Sequence, residues 1–159
     1  MNKPFSLHKC LDEIDYKMSD NIISIDQLIK HYNGKNFQKL VQDGQKFVNN
    51  NSNSAIAWNL LALGHRYSGN TKAALKIYED LLKLNPDNFL LSTNLGNLYM
   101  AMGKVSKAID CFETAYKQDP KHINNLEALA IAYQDSGHED KAIENFKKVL
   151  ESDETKEST

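Results

Sequence analysis

Few residues in this chain are of a type and spacing that could do chemistry, and they are scattered. The five histidines, His8, His31, His65, His122 and His138, show no metal-ligand spacing. Catalysis needs a nucleophile, a base and a group that orients the base. No phosphate-cradling glycine loop or nucleophile elbow supplies the start of such a set. Cys10 and Cys111 stand far apart without paired spacing, which reads as two free thiols in a reducing compartment and excludes a zinc site or a disulfide framework. The expectation is a protein that is not an enzyme and that holds no cofactor and no metal.

Charge narrows the partners. Nineteen basic and 21 acidic residues give a net charge of −2, too little positive charge to hold nucleic acid by counterion release. Arg66 is the only arginine, so the planar fork that reads bases or grips phosphate is nearly missing. With 159 residues, 41% apolar and 25% charged, the chain is expected to form one globular domain rather than a disordered one. Mean hydropathy is −0.56, and no apolar run approaches the ~18 residues of a membrane span. The amino terminus leads into Asp12, Glu13 and Asp15 without an apolar signal core. A soluble, cytoplasmic protein is expected.

The elements that position these residues repeat. Pro86 and Pro120 are 34 residues apart, and Gly69, Gly103 and Gly137 keep the same step. So do Ala74, Ala108 and Ala142; Tyr78, Phe112 and Phe146; and Leu61, Leu95 and Leu129. Five columns at one spacing define an internal repeat, which must be settled before any local reading. Each unit reads as two helices. Leu91, Leu95, Leu98 and Met102 recur at steps of three and four, and Gly103 closes that helix. Val105, Ala108, Ile109, Phe112, Ala115 and Tyr116 carry the next, which Asp119-Pro120 stops. Strand signals are absent, so the fold class is all-α. The alanine column is small where paired helices approach closely, and the aromatic one turn later fills the wedge toward the next pair.

The pattern Trp58-x-x-Leu61-Ala62 … Gly69 … Ala74 … Tyr78 … Leu81 … Pro86 resembles the tetratricopeptide repeat. So does Leu95-Gly96-x-x-Tyr99 … Gly103 … Ala108 … Phe112 … Ala115 … Pro120. A third copy, Leu126-x-x-Leu129-Ala130-x-x-Tyr133 … Gly137 … Ala142 … Phe146 … Val149, lacks only the closing proline, where Glu154 stands. His65 replaces the usual tyrosine and Ser92 the large residue that Trp58 supplies. The resemblance implies an α-solenoid, a right-handed superhelix of antiparallel helix pairs. Full repeats are expected at 55–88, 89–122 and 123–153. A degenerate repeat precedes them at 21–54, with Ser24 in capping-box form, Gly34 one residue early, Leu40 in the small-residue column and Gly44 in the aromatic one. Residues 1–20, striped with Leu7, Cys10, Leu11, Ile14 and Met18, read either as a capping helix or as a segment that orders on binding. Residues 154–159 read as a disordered polar tail.

The resemblance also implies that the concave groove, lined by the first helix of each pair, binds an extended or helical peptide. Residues expected to face it are Asn59, Leu63 and Arg66; then Asn94, Asn97 and Met100; then Asn124, Glu127, Ile131 and Gln134. An asparagine amide offers donors and an acceptor, so it can pair with any peptide backbone; equally, these asparagines could simply solvate an exposed helix face. The carboxylate clamp of chaperone-binding repeats is not expected: only Asn94 stands in place, with Leu63, Asn124 and Ala128 where the clamp needs other residues. An asparagine ladder like that of repeat-bearing glycosyltransferases is broken at Leu60 and Ala128.

The leading expectation is a non-catalytic scaffold or adaptor that binds a partner's peptide segment. The passage Asn53 to Leu61 resembles repeats that precede bacterial sulfotransferase or glycosyltransferase domains, which makes a recruiting arm of a larger enzyme the second. A repeat-type secretion chaperone is the third, on length and repeat number. At the carboxyl edge Ile143, Phe146 and Leu150 repeat the outward pattern of Leu75 and Leu82 with only a polar tail after them. This patch is expected to be covered by a second copy of the chain, by a partner or by a further domain.

Overall fold

Capping side chains decide where the helices begin. The computed structural model describes residues 23–157, so the stripe at 1–20, with His8 and Cys10, and the end of the expected tail lie outside the described residues. Ser24 accepts from the Gln27 amide at 3.2 Å and opens α1 (Ile25–Asn33). Asn36 accepts from the Lys39 amide to open α2 (Phe37–Asn50), and Ser54 from the Ala57 amide to open α3 (Ala55–Tyr67). Asn70 opens α4 (Thr71–Leu84) and Asn88 opens α5 (Phe89–Ala101) in the same way. Each such cap satisfies an amide that the first turn leaves without a partner. α6 (Val105–Gln118) follows Lys104 without a side-chain cap. His122 caps α7 (Ile123–Asp135) by accepting from the Asn125 amide at Nδ1. α8 (Glu139–Glu157) ends the order, and no strand occurs among the described residues.

The turn between the helices of a pair needs one residue at positive φ. Gly69, Gly103 and Gly137 supply it at +82°, +69° and +77°. In the first pair Gly34 sits at −78° and Lys35 takes the left-handed position at +54°. The turn geometry has therefore stayed in 34-residue register while the glycine has slipped one place, and a side chain now stands in a conformation that L-residues enter at a cost.

Antiparallel pairs stack into a right-handed superhelix, and the core runs through the stack. The second helices α2, α4 and α6 each pack against the first helices on both sides, and α8 packs against α7. Ala74, Tyr78 and Leu81 of α4 meet Ala62 of α3 and Leu91, Leu95 and Leu98 of α5. Ala108 and Phe112 of α6 join Leu129, Ala132 and Tyr133 of α7 and Ala142 of α8. Tyr78 and Phe112 are fully buried, as the wedge role requires. Phe146 is only half-buried, and Ile143 and Leu150 are 53% and 64% exposed.

The degenerate pair keeps this packing by exchanging sizes. Leu40, fully buried in the alanine column, lies against Gly64, where an added Cβ would be 3.1 Å from Leu40 Cγ and from Val41 Cγ2. Gly44, in the aromatic column, lets Leu61 fill the space.

The carboxyl end departs from expectation. α8 continues to Glu157, into the segment read as a disordered tail at 154–159 and past the repeat boundary at 153. The reason is the missing proline. Glu154 retains the backbone N–H that a proline would remove, and the following Lys156 and Glu157 are good helix formers.

Candidate functional site

The first helices α1, α3, α5 and α7 share one face of the stack. Asn59, Arg66, Asn94, Asn97 and Met100 are half-buried there, while Asn124, Glu127 and Gln134 are exposed and Ile131 is 41% exposed. Leu63 is 8% exposed and presents little surface to a ligand. Of these residues the structure joins one pair directly: the Asn94 amide nitrogen donates to the Asn59 carbonyl oxygen at 3.0 Å. Each amide thereby spends part of its capacity on the other and keeps the rest free.

Arg66 bonds to none of the other residues expected on this face. Its guanidinium lies over the Tyr67 ring, 4.8 Å from the centroid, with Nη1 3.4 Å from the Tyr67 hydroxyl. Tyr67 stacks on Phe37 at 4.7 Å and 20°, and Tyr32 sits against both rings at 6.2 and 6.4 Å. The sequence reading missed this aromatic cluster because Tyr67 belongs to no repeating column: Ala101 and Asp135 occupy its equivalents.

A second polar connection is buried. Asn125, fully enclosed, donates to the Phe112 carbonyl at 2.9 Å and accepts from the Thr93 hydroxyl at 3.0 Å, tying α5, α6 and α7 together. Its signal was present in the sequence: Ala57 and Leu91 precede it at 34-residue steps, so an amide interrupts an apolar column.

Three carboxylates are engaged by cations. Asp43, 3% exposed, takes His31 Nε2 at 3.1 Å and Lys39 Nζ at 3.3 Å on its two oxygens. Asp80 lies between Lys76 and Lys83, and Glu144 meets Lys148. Burial pushes the His65 imidazole below its ordinary pKa and the Cys111 thiol up to about 11. Among the described residues no group of three histidine, cysteine or acidic side chains is placed to hold a metal ion, and no helix is long and apolar enough to cross a membrane.

A stack of helix pairs with a half-polar shared face is the architecture of an α-helical repeat protein. Models of the tetratricopeptide repeat match residues 55–88 and 88–155, and the chain belongs to that family. It is 26% identical over 136 residues to protein FlbA of Caulobacter vibrioides, covering 86% of this chain and 23% of FlbA. It is 32% identical over 89 residues to photosystem I assembly protein Ycf3 of Prochlorococcus marinus, covering 54% of this chain and 50% of Ycf3. The chain thus spans half or less of the length of both relatives. Among solved structures, a crystal structure of MamA superposes with a TM-score of 0.75 at 24% identity, over 91% of this chain and 87% of that one. Those coverages extend the shared fold beyond the three full repeats.

Proposed function

We propose that the chain is a non-catalytic interaction module, a cytoplasmic scaffold or adaptor whose first-helix face, concave in a right-handed superhelix, holds a peptide segment of a partner protein. The supporting observation is the Asn59–Asn94 bond, which fixes two amides on adjacent first helices while leaving donors and an acceptor unspent. Nothing in the geometry favours a recruiting arm of a sulfotransferase- or glycosyltransferase-like enzyme, or a secretion chaperone, over this reading. The test is to select binders from a random twelve-residue peptide library and measure their affinity for variants. Asn97→Lys and Ile131→Glu should each weaken binding by at least about tenfold, as blocked interface positions do. Lys76→Glu, on a second helix, should leave it unchanged. Equal affinities across all three variants would remove the face from consideration.

The exposed apolar face of α8 supports a homodimer as a separate proposal. Ile143 and Leu150 present area worth ~1.5–3 kcal/mol per side chain when buried, and a second copy supplies a matching surface without another component. Light scattering at micromolar concentration should show a dimer that Leu150→Lys dissociates. A monomer unaffected by that change would dismiss it.

A further inference from the structure

We propose that the end of this face around Arg66 is a carboxylate-recognition site, so that the segment bound is an acidic peptide. This rests on the peptide-binding reading above and adds the chemistry of the ligand.

The first observation is an unmatched cation. Arg66 is the only arginine, it is half-buried, and it forms no ion pair among the described residues. Asp43, Asp80 and Glu144 are engaged by other cations. Nor is the guanidinium needed to cap its own helix. The amides of Ser68, Gly69 and Asn70 already reach the carbonyls of Gly64, Arg66 and His65 at 3.0, 3.2 and 2.9 Å.

The second is that this cation is held in place. Tyr67 carries it face-on, Phe37 backs Tyr67, and Tyr32 closes the other side. A stacked guanidinium loses less freedom on binding than a lysine ammonium on a flexible stem.

These groups share one character. The guanidinium is donor-only, and the hydroxyls of Tyr32 and Tyr67 in the same cluster can also donate. A carboxylate is acceptor-only, planar and singly charged; it matches the fork in two parallel bonds and balances one cation. A phosphate dianion would leave half its charge unmatched by a single arginine.

The experiment compares three peptide libraries of equal length that differ only in one fixed central residue: Glu, Gln or phosphoserine. Each is passed over immobilised wild-type protein and Arg66→Gln, and retained peptide is quantified. The wild type should retain the Glu library at least about tenfold over the Gln library, as a desolvated charge pair does. Arg66→Gln should bring that ratio to about one. Equal retention of Glu and Gln libraries by the wild type would leave the peptide-binding face standing and overturn this site. Preference for phosphoserine over Glu would overturn the carboxylate assignment in favour of phosphate. Retention of none of the three would overturn site and face together.

Discussion

Asn94 donates its side-chain amide to the carbonyl oxygen of Asn59 over 3.0 Å, although the two are 35 residues apart in an array whose step is 34. The bond joins side chains one place out of register. It forms because neighbouring first helices are rotated against each other, so that nearest residues on the shared face are not column equivalents. Asn59→Ala and Asn94→Ala should each destabilise by ~0.5–1.5 kcal/mol, with the double variant costing less than the sum. Urea unfolding of the four proteins measures this, and strict additivity would show that the bond contributes nothing.

Gly96 has no room for a side chain. A Cβ there would lie 2.5 Å from Phe112 Cε1 and 2.7 Å from Cδ1, while Phe112 itself is fully buried. Gly96→Ala, a change to the residue that both neighbouring repeats carry at this column, should therefore cost ~1–3 kcal/mol rather than stabilise the helix. Combining it with Phe112→Leu should cost less than the two changes summed. Thermal melts give the answer directly.

Lys35 offers the opposite sign. Its φ of +54° is the conformation that glycine holds in the three later turns. Lys35→Gly should stabilise the protein by ~1 kcal/mol, the penalty that an L-residue meets in the left-handed region. An unchanged melting temperature would mean that the turn relaxes in solution.

Cys111 should be slow to react. Burial, with Asp110 nearby, pushes its thiol up to about 11, about two units above a free cysteine. The thiolate is the reactive form, so at pH 8 its population should be about 100-fold below that of an exposed cysteine. In a Cys10→Ser background, alkylation by iodoacetamide should be slow in the native protein and fast in denaturant. Rapid native labelling would show that the helix pair opens there.

The sequence by itself determined the architecture, because the repeat is written in residue size. Glycine where φ must be positive, alanine where helices touch and an aromatic in the wedge each follow from a local steric demand, and Tyr78, Phe112 and Ala108 occupy the positions that their columns assign. It also marked Ile143 and Leu150 as outward-facing apolar positions, since they repeat the pattern of Leu75 and Leu82.

Only the tertiary structure decided which polar groups meet. Asn59 with Asn94, Thr93 with Asn125, and Arg66 with Tyr67, Phe37 and Tyr32 depend on how far one helix is rotated against the next, and columns do not encode that rotation. Burial of Leu63 and extension of α8 to Glu157 were hidden for related reasons. A residue's exposure is set by the helix beside it, and a helix without a stop signal continues until solvation of its backbone outweighs the next hydrogen bond.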